Sequence, residues 1–336
     1  MLPSIHPGPP SPAAEQTGSE LTAVERRAGE TVIAVDLGGT KTTAALVSPA
    51  GAVTARVTVP TPTAQGPGGV LDAVVEAIAG LPREAGAAVS AVGVGTAGAV
   101  NTTGVILSAT DALPGWAGTD VPTELSTRLQ HRWGPQGPGA RVVVQNDVDA
   151  HAAGEAWQGA ARGKDPALVV AVGTGVGAAL VLNGLVHRGA HAAAGEIGHV
   201  PTPGAQYLRC GCGRRGHLEA IASGPAVARR YWHESGTRVD AREVAERAAA
   251  GEALAARLLR EAGRALGRAL AGQVTVLDPE VIVLGGGFSA AGPAWWQAVE
   301  ETLREELIPP LAGVEILPAA LGADAALLGA ARQVLA

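Results

Sequence analysis

Short β-branched runs separated by glycine turns fill the first half of the chain, and apolar stripes at helical spacing fill the last third. Residues 31–35 read as a buried strand that runs into Asp36-Leu37-Gly38-Gly39-Thr40. Residues 43–47 and 52–59 read as two further strands around a Ser48-Pro49-Ala50-Gly51 turn, so the opening segment is a β-meander. Val70, Val74, Ile78 and Leu81 predict a helix over 69–80. Strands are expected at 88–94 and 141–145, extended chain with an internal Thr103-Gly104 turn at 100–107, and a helix at 150–157.

Residues 167–182 repeat the opening pattern, with VVAVGTGVGAALVL answering IAVDLGGTKTTAALV. Duplicated strand, glycine turn and strand predict two related α/β lobes. The stretch 167–186 has no charge and is about long enough to cross a bilayer. Gly173, Gly175, Gly177 and the hairpin signal Asn183-Gly184 break it, which favours two buried strands. The last third predicts helices at 242–250, 252–276, 294–308 and 323–335, interrupted by one strand, 281–284, that enters Gly285-Gly286-Gly287. Residues 1–30 are proline-rich and read as a flexible tail.

Composition narrows the function classes. Of the 336 residues, 47% are hydrophobic and 17% charged, enough apolar material for buried cores. The net charge of −6 argues against nucleic acid as the main ligand, because neutralising phosphates needs clustered cations. The two cysteines stand as Cys210-Gly211-Cys212, too close for an ordinary disulfide and suited to a metal clip in a reducing, cytoplasmic setting.

Five motifs carry candidate chemistry. In Asp36-Leu37-Gly38-Gly39-Thr40-Lys41 the glycines let backbone N–H groups face an anion, and a carboxylate at a strand end can hold Mg²⁺ through water. A plain hairpin turn would explain it equally, but a second turn at Gly173-Thr174-Gly175 suits a nucleotide clamped between lobes. Gly93-Val94-Gly95-Thr96-Ala97-Gly98 matches a dinucleotide fingerprint, yet extended chain follows where a helix must begin, so a substrate-facing loop is expected. Asn146-Asp147 reads either as a helix cap or as a proton-accepting carboxylate at the carboxyl edge of a sheet. His199, Cys210, Cys212 and His217 form a four-ligand set for structural Zn²⁺, flanked by Glu196 and Glu219. Gly285-Gly286-Gly287 reads as a turn or as backbone open to a flat ring.

Together these segments resemble the ROK family of sugar kinases. The carrying stretches are DLGGTK, GVGTAGAV, LPGW, QNDVDAHAAGEAW, VGTGVGAALVLNGLVHRGAHAAAGEIGH, CGCGRRGHLEAIASG, VIVLGGG and GADAALLGAA, in family order over about 32–331. The resemblance implies an actin-like, hexokinase-like ATPase fold of two ribonuclease H-like lobes with a zinc knuckle at 199–217. The N-terminal lobe is then 31–145, with the C-terminal helix 323–336 packing back on it, and the C-terminal lobe 146–322. It further implies an ATP-dependent hexose kinase, of glucose at O6 first. Asp147 becomes the general base, and Asn146, Glu196, His199, Glu219 and Gly98 the sugar contacts. Asp36, Gly38, Gly39, Thr40 and Lys41 face phosphate and Mg²⁺, Gly173, Thr174 and Gly175 lie opposite, and Gly285 and Gly286 lie by the adenosine. A homodimer or homotetramer is implied as well, with neither membrane nor nucleic acid as a partner.

Three positions depart from the family pattern. The third knuckle cysteine is His217, which removes one negative charge from the metal set. The usual Asn-Asp-Ala-Asn run is Asn146-Asp147-Val148-Asp149, which adds a carboxylate near the base. Pro-Asn before Leu113-Pro114-Gly115-Trp116 is replaced by Asp111-Ala112, altering one sugar-hydroxyl contact. The alternative activity is an N-acetylhexosamine kinase, for N-acetylmannosamine first, because CGCGRRGHLEAIASG resembles that subgroup while Glu196 favours the glucokinase type. A sugar-responsive repressor of the same family would need a winged helix ahead of Asp36, where the 35 residues present are proline-rich and show no basic recognition helix.

Overall fold

The computed structural model describes residues 31–82, 91–109, 112–134 and 141–335. The expected tail at 1–30, the start of the 88–94 strand and Asp111 therefore lie outside the described residues.

The meander forms as β1 (Val32–Leu37), β2 (Lys41–Val47) and β3 (Val53–Pro60). Asp36 is the fifth residue of β1 rather than part of the turn, so the turn itself is Gly38-Gly39-Thr40. Helix α1 (Gly66–Ala79) buries Val70, Val74 and Ile78, as their spacing requires. Strand β4 (Val92–Thr96) leads into a two-stranded hairpin, β5 (Ala99–Val100) and β6 (Ile106–Ser108). Helix α2 (Val121–Trp133) precedes β7 (Val142–Asn146). The first sheet has the order β3-β2-β1-β4-β7, with β1, β4 and β7 parallel.

Helix α3 (Asp147–Gln158) starts directly on β7, three residues earlier than periodicity predicts, because Asn146 caps it. The second half then repeats the first. Strands β8 (Ala167–Val172), β9 (Val176–Leu182) and β10 (Leu185–His187) form the second meander. Asn183 and Gly184 both have positive φ, as the tight hairpin demands. A short helix α4 (Glu219–Ala222) is followed by α5 (Gly224–Ser235), α6 (Ala241–Ala249) and α7 (Ala253–Leu277). Then come β11 (Val281–Gly285), α8 (Pro293–Glu306), β12 (Glu315–Pro318) and α9 (Ala325–Leu335). The second sheet runs β10-β9-β8-β11-β12, the same order as the first.

Two strands rather than one therefore interrupt the C-terminal helices. β12 is only four residues long and pairs in parallel with β11, so it carries little periodicity of its own. The 167–186 stretch is β8 and β9 with their hairpin, and no described helix is long and apolar enough to cross a membrane.

The two sheets are joined through α3 and α9. Leu327, Leu328 and Ala331 of α9 pack with Val32, Ala34 and Val47 of the first sheet. Ala152 of α3 packs with Val169, Val181 and Val283 of the second. The two helices also pack on each other so closely that a Cβ on Gly154 would land on the Ala325 carbonyl, and one on Gly329 on the Ala150 carbonyl.

Candidate active site

The first turn is shaped by Thr61. Its amide donates to the Thr40 carbonyl at 3.0 Å and its hydroxyl to the Gly38 carbonyl at 2.8 Å. A Cβ on Gly39 would sit 2.6 Å from the Ala112 carbonyl oxygen, so the turn needs glycine to nest against the loop that leads to buried Trp116. Beside it, burial pushes the Asp36 carboxyl up to about 6; the charge of Asp147 adds to the rise and Lys41 opposes it.

Parallel pairing aligns the ends of β1, β4 and β7, with Leu37 opposite Thr96 and Thr96 opposite Asn146. Asn146 does serve as the cap: its Oδ1 accepts from the Val148 amide at 2.7 Å and from the Asp149 amide at 3.2 Å. Its Nδ2 donates to the Gly98 carbonyl at 2.9 Å, which ties the turn that carries Asp147 to the hairpin loop. Asp147 follows at the first helical position, so cap and carboxylate coexist. Its Oδ1 accepts from the Val148 amide at 2.9 Å. Burial raises the Asp147 carboxyl above its ordinary range against that hydrogen bonding.

On the second sheet, the Gly173–Gly175 turn is closed by the Gly173 amide donating to the Gly175 carbonyl at 2.8 Å. The Gly224 amide, at the first residue of α5, donates to the Gly173 carbonyl at 3.0 Å, and Ser223 caps the helix. A Cβ on Gly173 would lie 3.9 Å from the Gly287 amide nitrogen, so this turn adjoins the third glycine segment. That segment needs glycine for internal reasons. Gly286 has φ +83, with the Val172 backbone in the space of a side chain, and a Cβ on Gly285 would meet His151 Nε2 at 2.8 Å. Gly285 itself ends β11.

The knuckle brings all four expected ligands together, with donor atoms of His199, Cys210, Cys212 and His217 within 4.8 Å of one another. Cys210 Sγ lies 3.6 Å from His199 Nδ1, and Cys212 Sγ lies 3.3 Å from His217 Nδ1. Tetrahedral zinc bonds imply sulfur–nitrogen edges of about 3.5 Å, so the donor set fits that ion. Burial pushes the Cys210 thiol up to about 12, so a metal must displace its proton. His199 turns its other nitrogen, Nε2, toward Glu196 Oε2 at 3.7 Å. The Glu196 carboxyl is raised by burial; His199 opposes this and the charges of Glu219 and Asp147 add to it. Glu219 reaches the second turn, accepting from the Val176 amide at 3.3 Å.

The expected residues thus fall into connected groups. Asp147 acts electrostatically on Asp36 of the first turn and on Glu196 of the knuckle side. Lys41 begins β2 beside Asp36, and Thr174 is exposed at the tip of the second turn. Three contributors escape sequence reasoning. Ser223-Gly224-Pro225 is a cap-and-proline helix start whose signal was there to be read. Thr61 and Arg188 have no local signal, because their partners are distant in the chain. Arg188 Nε lies 3.6 Å from Asp149 Oδ2, which gives the extra carboxylate a counter-charge. Burial raises Asp149 to about 6 while Arg188 opposes the rise.

Glycine turns on two sheets of the same strand order, with Asp147 at the end of the first sheet and further carboxylates near it, are the arrangement a sugar kinase requires. The chain belongs to the ROK family, whose model matches residues 32–336. It is 31% identical over 315 residues to a glucokinase of Thermotoga maritima, covering 89% of this chain and 96% of that one. Among solved structures, a ROK hexokinase from Thermus thermophilus superposes with TM-score 0.77 at 36% identity, covering 90% of this chain and 97% of that one. A ROK family glucokinase from Streptomyces griseus, in complex with glucose and AMPPNP, gives TM-score 0.75 at 31% identity, covering 90% and 98%.

Proposed function

We propose that this protein is an ATP-dependent glucokinase that phosphorylates glucose at O6, with Asp147 as general base. The observation that carries the reading is the position of Asp147. Its charge reaches the carboxylate of the first turn, Asp36, and the sugar-side carboxylate, Glu196. A hexose hydroxyl between them gives its proton to Asp147 as its oxygen attacks the γ-phosphorus, and ADP leaves. Asn146, Glu196, His199 Nε2, Glu219 and the Gly98 loop bind the other hydroxyls. Gly38, Gly39, Thr40 and Lys41 face Gly173, Thr174 and Gly175 across the phosphates, and Gly285 and Gly286 adjoin the nucleoside. Closure of lobes 31–145 and 146–322 excludes water that would otherwise hydrolyse ATP.

Asp36 suits Mg²⁺, which when bound neutralises phosphate charge during transfer. His199, Cys210, Cys212 and His217 suit structural Zn²⁺, which braces Glu196 and Glu219. A cytoplasmic homo-oligomer is the setting we assign. The test is a panel of hexoses and N-acetylhexosamines with ATP in a coupled ADP assay. Glucose is expected to give the highest kcat/KM. Highest turnover of N-acetylmannosamine would select the alternative kinase, and no turnover of any sugar would overturn the reading.

A further inference from the structure

The proposed phosphoryl transfer leaves Asp149 and Arg188 without a task, although both lie against the residues assigned to it. Asp149 sits in the first turn of α3, two residues beyond Asp147, with its side chain 12% exposed. Arg188 stands just after β10, 23% exposed, with Nε 3.6 Å from Asp149 Oδ2. That buried Nε has no hydrogen-bond partner, so the distance to Asp149 is slack rather than competition from another group. The same guanidinium donates through Nη2 to the carbonyl of Val100, on β5 of the other half of the molecule.

Three walls of the sugar site meet at this side chain. Val100 stands two residues beyond Gly98, whose carbonyl is already held by Asn146. The hairpin loop is thus gripped at two carbonyls, one by the residue before the base and one by Arg188. Arg188 also opens the loop that carries Glu196, and the Ala194 amide donates to its carbonyl at 3.2 Å. The position suits arginine, whose planar fork can serve a carboxylate and a carbonyl at once, where lysine offers a point charge. It also suits an acid at 149. A buried carboxylate beside Asp147 and Glu196 needs a counter-charge, and a neutral amide there would leave Arg188 buried without one.

We propose that Asp149 and Arg188 act as one positioning pair that holds the 98–100 loop against the Glu196 loop and thereby sets hexose affinity. The inference rests on the hexose-kinase reading and adds a residue pair to it. Neither side chain is a catalytic residue, since both act through the loops they join. The pair's action falls on the sugar and spares ATP, because neither residue touches the glycine turns.

Steady-state kinetics of Arg188→Met, Asp149→Ala, the double variant and Arg188→Lys test it, with sugar and ATP varied separately. Each single substitution is expected to raise the sugar KM by at least about tenfold with kcat changing far less, as for loss of binding common to ground and transition state. The ATP KM stays at its wild-type value. The double variant is no worse than the worse single one, because the two side chains act as a unit. Arg188→Lys, which keeps the charge without the fork, falls between. A sugar KM unchanged in folded variants, parallel rises for sugar and ATP, or additive effects would each overturn the pair. Should the alanine and methionine variants fail to fold, Asp149→Asn keeps the shape of the side chain, and the same rise in sugar KM is required of it. Wild-type turnover with unaltered variants sinks the pair alone, whereas a wild-type chain that phosphorylates no hexose removes both readings.

Discussion

The Glu219 carboxylate accepts a hydrogen bond from the Val176 amide at 3.3 Å, on the residue that follows the Gly173–Gly175 turn. Its other oxygen, Oε1, lies 3.5 Å from Cys210 Sγ. One side chain therefore touches both the knuckle and the second glycine turn, so disorder in the first is expected to reach the second. We expect Cys210→Ser, or treatment with a strong chelator, to lower zinc content and kcat/KM for both sugar and ATP. Metal analysis that finds fully active protein without zinc would contradict this.

In the proposed mechanism Asp147 accepts the sugar proton without holding the sugar alone, since several other acceptors share the hydroxyls. Asp147→Asn should lower kcat by roughly 100-fold or more while sugar binding is largely kept. Turnover and calorimetric sugar titration of the same variant check it. Near-normal turnover removes Asp147 from its role.

Acid pH should act on the same carboxyl. Burial raises Asp147, so it takes up its proton at a higher pH than an ordinary aspartate. The acid limb of kcat/KM is then expected above the usual carboxylate range, as a macroscopic value of the coupled group. A limb at or below the model-peptide range would argue that desolvation in the free enzyme is minor.

Stability should fall as pH rises through the Asp36 window. The folded pKa is about 6 against an ordinary 3.8, so between these values the folded state holds a proton that the unfolded chain releases. The cost is complete above about pH 6 and amounts to at most about 3 kcal/mol. Asp36→Asn, which carries no charge, should therefore gain Tm over wild type at pH 7, with the gain shrinking toward pH 4. A gain independent of pH would show that charge burial is not its source.

The joint between α3 and α9 should be intolerant of a single methyl group. A Cβ on Gly329 would land on the Ala150 carbonyl, in backbone that has no freedom to rotate away. Gly329→Ala is expected to cost about 1–3 kcal/mol, read as a lower denaturant midpoint with unchanged slope. A neutral result would mean the two helices are free to separate.

Local chemistry made much of this protein readable before any fold was known. Gly38-Gly39 and Gly173–Gly175 announce turns because only glycine allows the close backbone approach, and a twofold occurrence announces the repeated sheets. Cys210-Gly211-Cys212 with its histidines announces a metal set because the donor types suffice. Periodicity found α1, α6, α7 and α8 within a few residues, for each buries a regular stripe. It missed β12, four residues with both ends exposed, and α2, which buries only Val121, Leu125 and Leu129.

The sequence alone determined the alternation of strands and turns, the chemical inventory of the site and the family it belongs to, because these depend on residues near one another in the chain. Only the tertiary structure decided that Glu219 meets Val176, that Arg188 meets Asp149 and Val100, and that His151 claims the space at Gly285. Those contacts join segments tens of residues apart. Their geometry is set by how two sheets pack through α3 and α9, and a one-dimensional pattern carries no record of that path.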